Sequence, residues 1–253
     1  MAMKFSVVIP AYNASATIAA TLGSCFQQTY KPAEIIVVDD GSTDNTLEIL
    51  RSFSADIKLV SLGENKGVSF ARNAGWAAAS GDYILFLDSD DLFHSRKIEI
   101  LNDVLTRNAG IKFLYHHYTL EPFEAIGDHD AQPQAISFAS LLLRNPAATP
   151  CICVSREIST RFKEAFRYCE DHEFVLNTAY YYGCSAIPLK LARLHHAVLS
   201  GSGLSARRWK MRMGEMKMYA MVWRYNPLLL PLVPFLLLLS FGKHLWKKLS
   251  FVS

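Results

Sequence analysis

The sequence predicts an α/β domain, with a mostly parallel central sheet flanked by helices. Short apolar, β-branched runs alternate with helix-length segments of 3.6-residue periodicity over residues 5–115. Polar clusters stand just past the apolar runs, at Tyr12-Asn13, Asp39-Asp40 and Asp88-Ser89-Asp90-Asp91. Ligands of parallel sheets sit at those carboxyl ends.

Each element has its own signal. Phe5–Ile9 reads as the first strand, and Ser15 is expected to cap a helix reaching Gln28 with Ile18, Leu22, Cys25 and Phe26 on one face. Glu34–Val38 is the second strand, followed by a helix from Ser42 or Thr43 that carries Leu47, Leu50 and Phe53. Ile57–Val60 is the third strand, Gly67–Ser80 an Ala-rich helix, and Tyr83–Leu87 the fourth strand. A helix over Ser95–Arg107 and a fifth strand at Ile111–Tyr115 complete this half. The middle is less regular, with a polar loop at Gly127–Gln134, a helical stretch at Ile136–Leu143, a helix over Asp171–Tyr182 and a strand at Cys184–Ile187.

Composition narrows the class. Of 253 residues 51% are apolar, which supports a sizeable core and excludes wholesale disorder. The net charge of +3 divides into −5 for residues 1–199 and +8 for residues 200–253. An acidic body with a basic, Leu-rich tail excludes a uniform nucleic-acid binder and suggests contact with an anionic surface. Five cysteines without a CxxC pair support neither a disulfide framework nor a zinc site, and reduced buried thiols are expected. Pro10 ends the first apolar run too early for a secretory signal, so a cytoplasmic location is expected.

The tail has two parts. Ser205–Arg224 reads as a helix rich in Arg, Lys, Met and Trp. Pro227–Leu239 has no polar side chain, but its 13 residues, broken by Pro231 and Pro234, fall short of a span. A helix needs about 20 apolar residues to cross a bilayer. Cations and Trp flank the run, so residues 201–253 are expected to lie on the inner face of the membrane, peripheral or monotopic. The alternative is that these Met and Leu residues pack on the body or in a homo-oligomer.

Carboxylates carry the chemistry. Asp88 and Asp90 can both reach one divalent cation, and hard oxygens suit Mg²⁺ or Mn²⁺ that share their shell with phosphates. Asp91 or Asp90 could instead cap the next helix. Asp39-Asp40-Gly41 at another strand end can accept from a base or ribose. Glu170-Asp171 before a helix can supply a general base.

Four blocks, Val7–Asn13 (VVIPAYN), Glu34–Asn45 (EIIVVDDGSTDN), Asn65–Gly75 (NKGVSFARNAG) and Gly81–Asp91 (GDYILFLDSDD), together resemble the family 2 glycosyltransferases. Cys169–Phe174 (CEDHEF) looks like that family's later acidic motif. The resemblance implies a GT-A, Rossmann-like fold and an inverting, metal-dependent transfer from a nucleotide sugar, commonly a UDP-sugar. The acceptor it implies is a hydroxyl of a cell-surface glycan or lipid-linked precursor. It divides the chain into a catalytic domain over 1–200, with its nucleotide-sugar half at 1–117 and acceptor half at 118–200, and a tail from 201. Asp40, with Pro10, Ala11, Tyr12 and Asn13, would bind the base and ribose. Lys66 and Arg72 would approach the base or diphosphate, and Ser89 belongs to the same donor set. Asp88 and Asp90 match the metal-binding acids, Asp90 preferred as direct ligand, with Asp171 as base and Glu170 on the acceptor side. The family's C-terminal His corresponds to His196, or alternatively His195. Processive members carry QxxRW, whereas Ser205 precedes Arg208-Trp209 here, which implies transfer of a single sugar. Two other readings are a sugar-1-phosphate nucleotidyltransferase, which would need a Gly-rich N-terminal phosphate loop, and a non-catalytic nucleotide-binding membrane scaffold.

Overall fold

The structure is a computed structural model, and it describes residues 3–127, 130–195 and 208–249. Four strands form a parallel unit: β1 (Phe5–Ala11), β2 (Glu34–Asp39), β3 (Lys58–Ser61) and β4 (Tyr83–Phe86). The sheet continues through β5 (Leu92–Phe93), β6 (Phe113–Thr119), β7 (Gln134–Ala135), β8 (Ile152–Ser155) and β9 (Ser185–Arg193). Its order is β3-β2-β1-β4-β8-β6-β9-β5, with β7 also on β9.

The sheet is mixed rather than mostly parallel. β8 runs antiparallel to both β4 and β6, while β6 and β9 pair in parallel. Periodicity shows that a strand exists but not which neighbour it pairs with, and the short run Ile152–Ser155 falls in the stretch the sequence leaves irregular.

Helices cover both faces. They are α1 (Ile18–Phe26), α2 (Thr46–Ser52), α3 (Val68–Ala77), α4 (Lys97–Arg107), α5 (Phe138–Leu143), α6 (Glu170–Tyr182), α7 (Arg208–Tyr219) and α8 (Val233–Leu249). Several begin later than expected. Ser15 caps nothing: its amide is tied to Asp44 Oδ2 at 3.2 Å, and α1 starts at Ile18. Likewise α2 begins at Thr46 because Asp44 Oδ1 accepts from the Thr46 amide at 3.0 Å, closing an Asx turn first. Neither Asp90 nor Asp91 caps α4, whose N-cap is Arg96.

The two-residue period of the strands builds two cores. Val8, Ile36, Val38, Ile84 and Phe86 point to the face covered by α3 and α6. Val7, Ile9, Ile35, Val37, Leu85 and Leu87 point to the face covered by α1 and α4. On the first face α3 lies so close to β1 that a Cβ at Gly75 would stand 2.4 Å from Val8 Cγ1.

The segment read as a tail is partly core. Met218, Tyr219, Val222 and Leu236 are buried in the first core, beside Phe174 and Leu141. Tyr219 Oη donates to the Leu142 carbonyl at 2.6 Å, and Tyr225 Oη to Glu173 Oε1 at 2.9 Å. A boundary at residue 200 therefore cuts through one continuous core. The helix expected over Ser205–Arg224 ends at Tyr219 and is followed by a 3-10 turn at Val222–Arg224. All five cysteines are free and buried. Among the described residues, no helix is long and apolar enough to cross a membrane.

Candidate active site

The acidic clusters meet at the carboxyl ends of β1, β2 and β4. The Asp40 amide donates to the Ala11 carbonyl at 2.8 Å, and the Leu87 amide to the Val8 carbonyl at 3.0 Å, so the strand ends stay in register as the loops begin. Gly41 makes the first turn possible. Its φ is +72°, and a Cβ there would lie 2.5 Å from the Glu64 carbonyl carbon. The chain at 64–67 thereby crosses close enough for both Asp40 oxygens to accept backbone amides, Lys66 at 2.7 Å and Gly67 at 2.9 Å. Asp40 is buried and holds the entry to α3. Its neighbour Asp39 accepts the Ser42 amide at 3.3 Å.

The Pro10–Asn13 loop is pinned to the same place. Asn13 takes a left-handed φ of 50°, and its Oδ1 accepts the Thr43 amide at 2.8 Å. Its own amide donates to Ser42 Oγ at 3.1 Å. Tyr12 is left exposed at the rim. Lys66 is also exposed, with Nζ 3.5 Å from Glu64 and 5.1 Å from the Phe70 ring centroid.

Arg72, on α3, ties the two halves of the cleft together. Its Nη2 donates to Asp88 Oδ1 at 2.7 Å and its Nη1 to Glu170 Oε1 at 3.2 Å. The guanidinium is buried on the Phe162 ring, and its Nε has no partner among the described residues. Burial opposes its charge, but Asp88 and Glu170 outweigh that and hold its pKa above the ordinary value. The sequence reading aimed Arg72 at the base or diphosphate, whereas the structure engages both terminal nitrogens with carboxylates.

Asp88, Ser89 and Asp90 are half-buried beyond β4. The turn is held by the Asp91 amide on the Asp88 carbonyl at 3.1 Å and by Thr21 Oγ1 on the Ser89 carbonyl at 2.9 Å. Asp91 is buried, and its Oδ1 accepts the His195 amide at 2.9 Å. Burial and the neighbouring charge of Asp88 push its carboxyl up to about 8. His195 is thus brought by the end of β9 to the DSDD turn, while His196 lies outside the described residues.

Across the cleft, Cys169 turns the chain with a φ of 59°, and α6 starts with Glu170-Asp171. Burial, reinforced by Asp171, pushes the Glu170 carboxyl up to about 7. Asn145 Nδ2 donates to Asp171 Oδ2 at 2.9 Å. Asn145 was not found from sequence. It sits in an irregular stretch, and only the Asn-Pro dipeptide marks it as a turn. That stretch leads to a 3-10 turn at Thr149–Cys151, where the buried Lys97 Nζ donates to the Pro150 carbonyl at 2.6 Å. Burial pulls Lys97 down to about 7.

The structure therefore hydrogen-bonds Asp88, Arg72 and Glu170 in one set and Asp171 with Asn145 in a second, the two joined by the adjacency of Glu170 and Asp171 in the chain. Among the described residues, no group of three or more His, Cys, Asp or Glu side chains is arranged to hold a metal by itself. The hard carboxylates at Asp88 and Asp90 do fit Mg²⁺ or Mn²⁺, which usually keep waters and bind phosphate oxygens alongside one or two protein ligands.

The acids thus collect at the carboxyl ends of the strands, where α/β sheets of this kind bind ligands. Residues 6–147 match the sequence profile of "Glycosyl transferase family 2". The chain is 32% identical over 206 residues, 81% of each chain, to the UDP-Glc:alpha-D-GlcNAc-diphosphoundecaprenol beta-1,3-glucosyltransferase WfgD of Escherichia coli. It is also 32% identical over 208 residues, again 81% of each, to WfaP, an enzyme of the same description from that organism. Among solved structures, S. aureus TarS 1-349 in complex with UDP-GlcNAc superposes with a TM-score of 0.71 at 20% identity, over 88% of this chain and 66% of that one. Mannosyltransferase PcManGT from Pyrobaculum calidifontis, in complex with GDP-Man and Mn2+, gives 0.66 at 18% identity, over 96% and 74%. The chain belongs to the glycosyl transferase family 2 and is a glycosyltransferase with the GT-A fold.

Proposed function

We propose that the protein is an inverting glycosyltransferase that moves one sugar from a UDP-sugar to a hydroxyl of a lipid-linked glycan precursor. The observation that carries this reading is the Arg72 bridge. It places Asp88 of the donor-side turn and Glu170, next to Asp171, on one guanidinium. Donor acids and base then face a single cleft, as an in-line displacement requires.

In this reading Asp171 accepts the proton of the attacking hydroxyl. Asn145 fixes Oδ2 of that carboxylate and leaves Oδ1 for the acceptor. Proton transfer of this kind contributes about 10²–10⁴-fold. One carboxylate acts at the reacting face, so the anomeric configuration inverts. Asp40, Pro10, Ala11, Tyr12, Asn13 and Lys66 frame the base and ribose. Asp90 would hold the metal directly, Asp88 is kept in place by Arg72, and His196 or His195 would be the further ligand. The bound ion supplies positive charge against the departing diphosphate.

The donor and acceptor classes are carried over from WfgD and WfaP, whose names state UDP-Glc and GlcNAc-diphosphoundecaprenol. A lipid-linked acceptor places the enzyme at a membrane. Leu228, Leu230, Phe235, Leu238 and Phe241 form an exposed apolar surface suited to lie on that membrane.

The test is a donor screen with a GlcNAc-diphospholipid acceptor, with Mn²⁺ or Mg²⁺ and with chelator, for wild type and Asp171→Asn. Glycolipid product with a UDP-sugar, lost on chelation and reduced about 10²-fold or more in the variant, is expected. Near-full turnover by the variant would remove Asp171 from its role.

A further inference from the structure

We infer that the groove between residues 165–168 and α7 binds the diphosphate and first isoprenoid units of a lipid-diphosphate acceptor. This rests on the acceptor class proposed above. The groove is lined by Ala165–Tyr168 on one wall and by Lys210, Met213, Gly214 and Lys217 on the other, with a volume of about 470 Å³. Its size falls in the usual range for small-molecule sites, about 300–1,000 Å³.

Register connects the groove to the chemistry. Lys217 Nζ donates to the Ala165 carbonyl at 3.0 Å. A Cβ at Gly214 would lie 2.6 Å from the Tyr168 carbonyl oxygen, so the walls are as close as a glycine permits. Cys169 Sγ donates to the Met211 carbonyl at 3.3 Å. Moving from Lys217 to Met211 thus moves from Ala165 to Cys169. The Lys210 end of α7 is the end nearest Glu170 and Asp171. From Tyr168 to Asp171 the chain can extend at most about 11 Å. A ligand held at that end lies near the start of α6, which carries Asp171.

Charge and apolarity together select the ligand. Three cations line the groove and no acid does. Lys217 is spent on the Ala165 carbonyl and the Phe166 ring. Arg167 and Lys210 are exposed, and neither has an ion-pair or hydrogen-bond partner among the described residues. Between them lie Met213 and the apolar wall at Phe166 and Ala165. A headgroup with two or more negative charges on an apolar chain satisfies both features, whereas a neutral glycan satisfies neither. On another side of α7, Arg212 Nη1 donates to Ser240 Oγ at 3.2 Å, which packs α8 against α7.

The test uses the full chain saturated with UDP, so that diphosphate probes are kept from the donor site. Farnesyl diphosphate, inorganic diphosphate and farnesol are titrated by calorimetry into wild type, Arg167→Ala/Lys210→Ala and Met213→Glu. Farnesyl diphosphate should bind wild type better than either fragment. Each variant should lose about tenfold or more, the size of one charge-assisted contact. In transfer assays the KM for GlcNAc-diphosphofarnesol should rise by a similar factor, while the KM for the donor moves little. Wild-type affinity in both variants, or no farnesyl diphosphate binding in the presence of UDP, overturns the groove. Transfer by wild type to soluble glycans alone, with no turnover of the lipid diphosphate, overturns instead the acceptor class on which the groove depends.

Discussion

The guanidinium of Arg72 donates to Asp88 Oδ1 at 2.7 Å while its other terminal nitrogen reaches Glu170. The planar guanidinium presents two terminal nitrogens in a fixed fork, one to each carboxylate. Arg72→Lys is expected to keep one contact and lose the other, and Arg72→Ala to leave two carboxylates uncompensated in a buried site. Breaking such a pair costs about 3–5 kcal/mol. Chemical denaturation should show that loss in Arg72→Ala, and Arg72→Lys should not restore turnover. Full activity in the lysine variant would mean that the bridge does not organise the cleft.

Asn145 hydrogen-bonds Asp171, outside the set that Arg72 holds. Asn145→Ala should lower kcat by about tenfold, the effect of losing one hydrogen bond to a charged group. UDP affinity should stay at the wild-type value, because the donor elements lie on β1, β2 and β4. Calorimetry with UDP beside steady-state kinetics separates the two effects.

Glu170 gives stability a defined pH dependence. Burial and Asp171 raise it from 4.5 to about 7. Between those values the native state holds a proton that the unfolded chain has released, so stability falls as pH rises through that window. Glu170→Gln carries no such proton. Urea melts at several pH values should give a flatter profile for the variant, with its relative advantage growing toward pH 7. Parallel profiles would place the raised carboxyl elsewhere.

The apolar surface needs a test that spares the core. Removing residues from 225 onward would delete Tyr225, which holds Glu173, and the buried Leu236. Leu228 and Leu238 are 83% and 71% exposed and can be changed without opening a cavity. Leu228→Glu/Leu238→Glu should leave the melting curve in place and reduce sedimentation with anionic vesicles at least tenfold. Each fully buried leucine contributes about 1.5–3 kcal/mol. Undiminished sedimentation would remove this surface from membrane contact.

Close packing at Gly75 offers a check on the fold itself. A methyl there would meet Val8 Cγ1 at 2.4 Å and Val38 Cγ2 at 3.1 Å. Gly75→Ala should destabilise by about 1–3 kcal/mol through overpacking, read as a lower denaturation midpoint with an unchanged slope.

Local pattern was enough for the parallel half of the molecule. The near-continuous apolar runs of Phe5–Ile9, Glu34–Val38 and Tyr83–Leu87 signal strands buried on both faces. The acids past those runs state where a ligand would sit. Helix starts were less legible because Asp44 and Asp40 compete for backbone amides near the predicted caps. Strand pairing in the second half was not legible. β8 enters antiparallel between β4 and β6, and nothing in its four residues encodes that neighbour.

The sequence by itself determined the class of fold, through periodicity, and pointed to the family through the resemblance of its motif blocks, with acids placed just past the strands. Tertiary structure decided what those acids do to one another. Arg72, Asp88, Asn145 and Glu170 are far apart in the chain, and only the packing of α3 and α6 on one sheet face brings them together. It also decided that the basic, apolar C-terminal segment is part core and part exposed surface. A helix buries whichever side meets another element, and hydropathy alone cannot name that element.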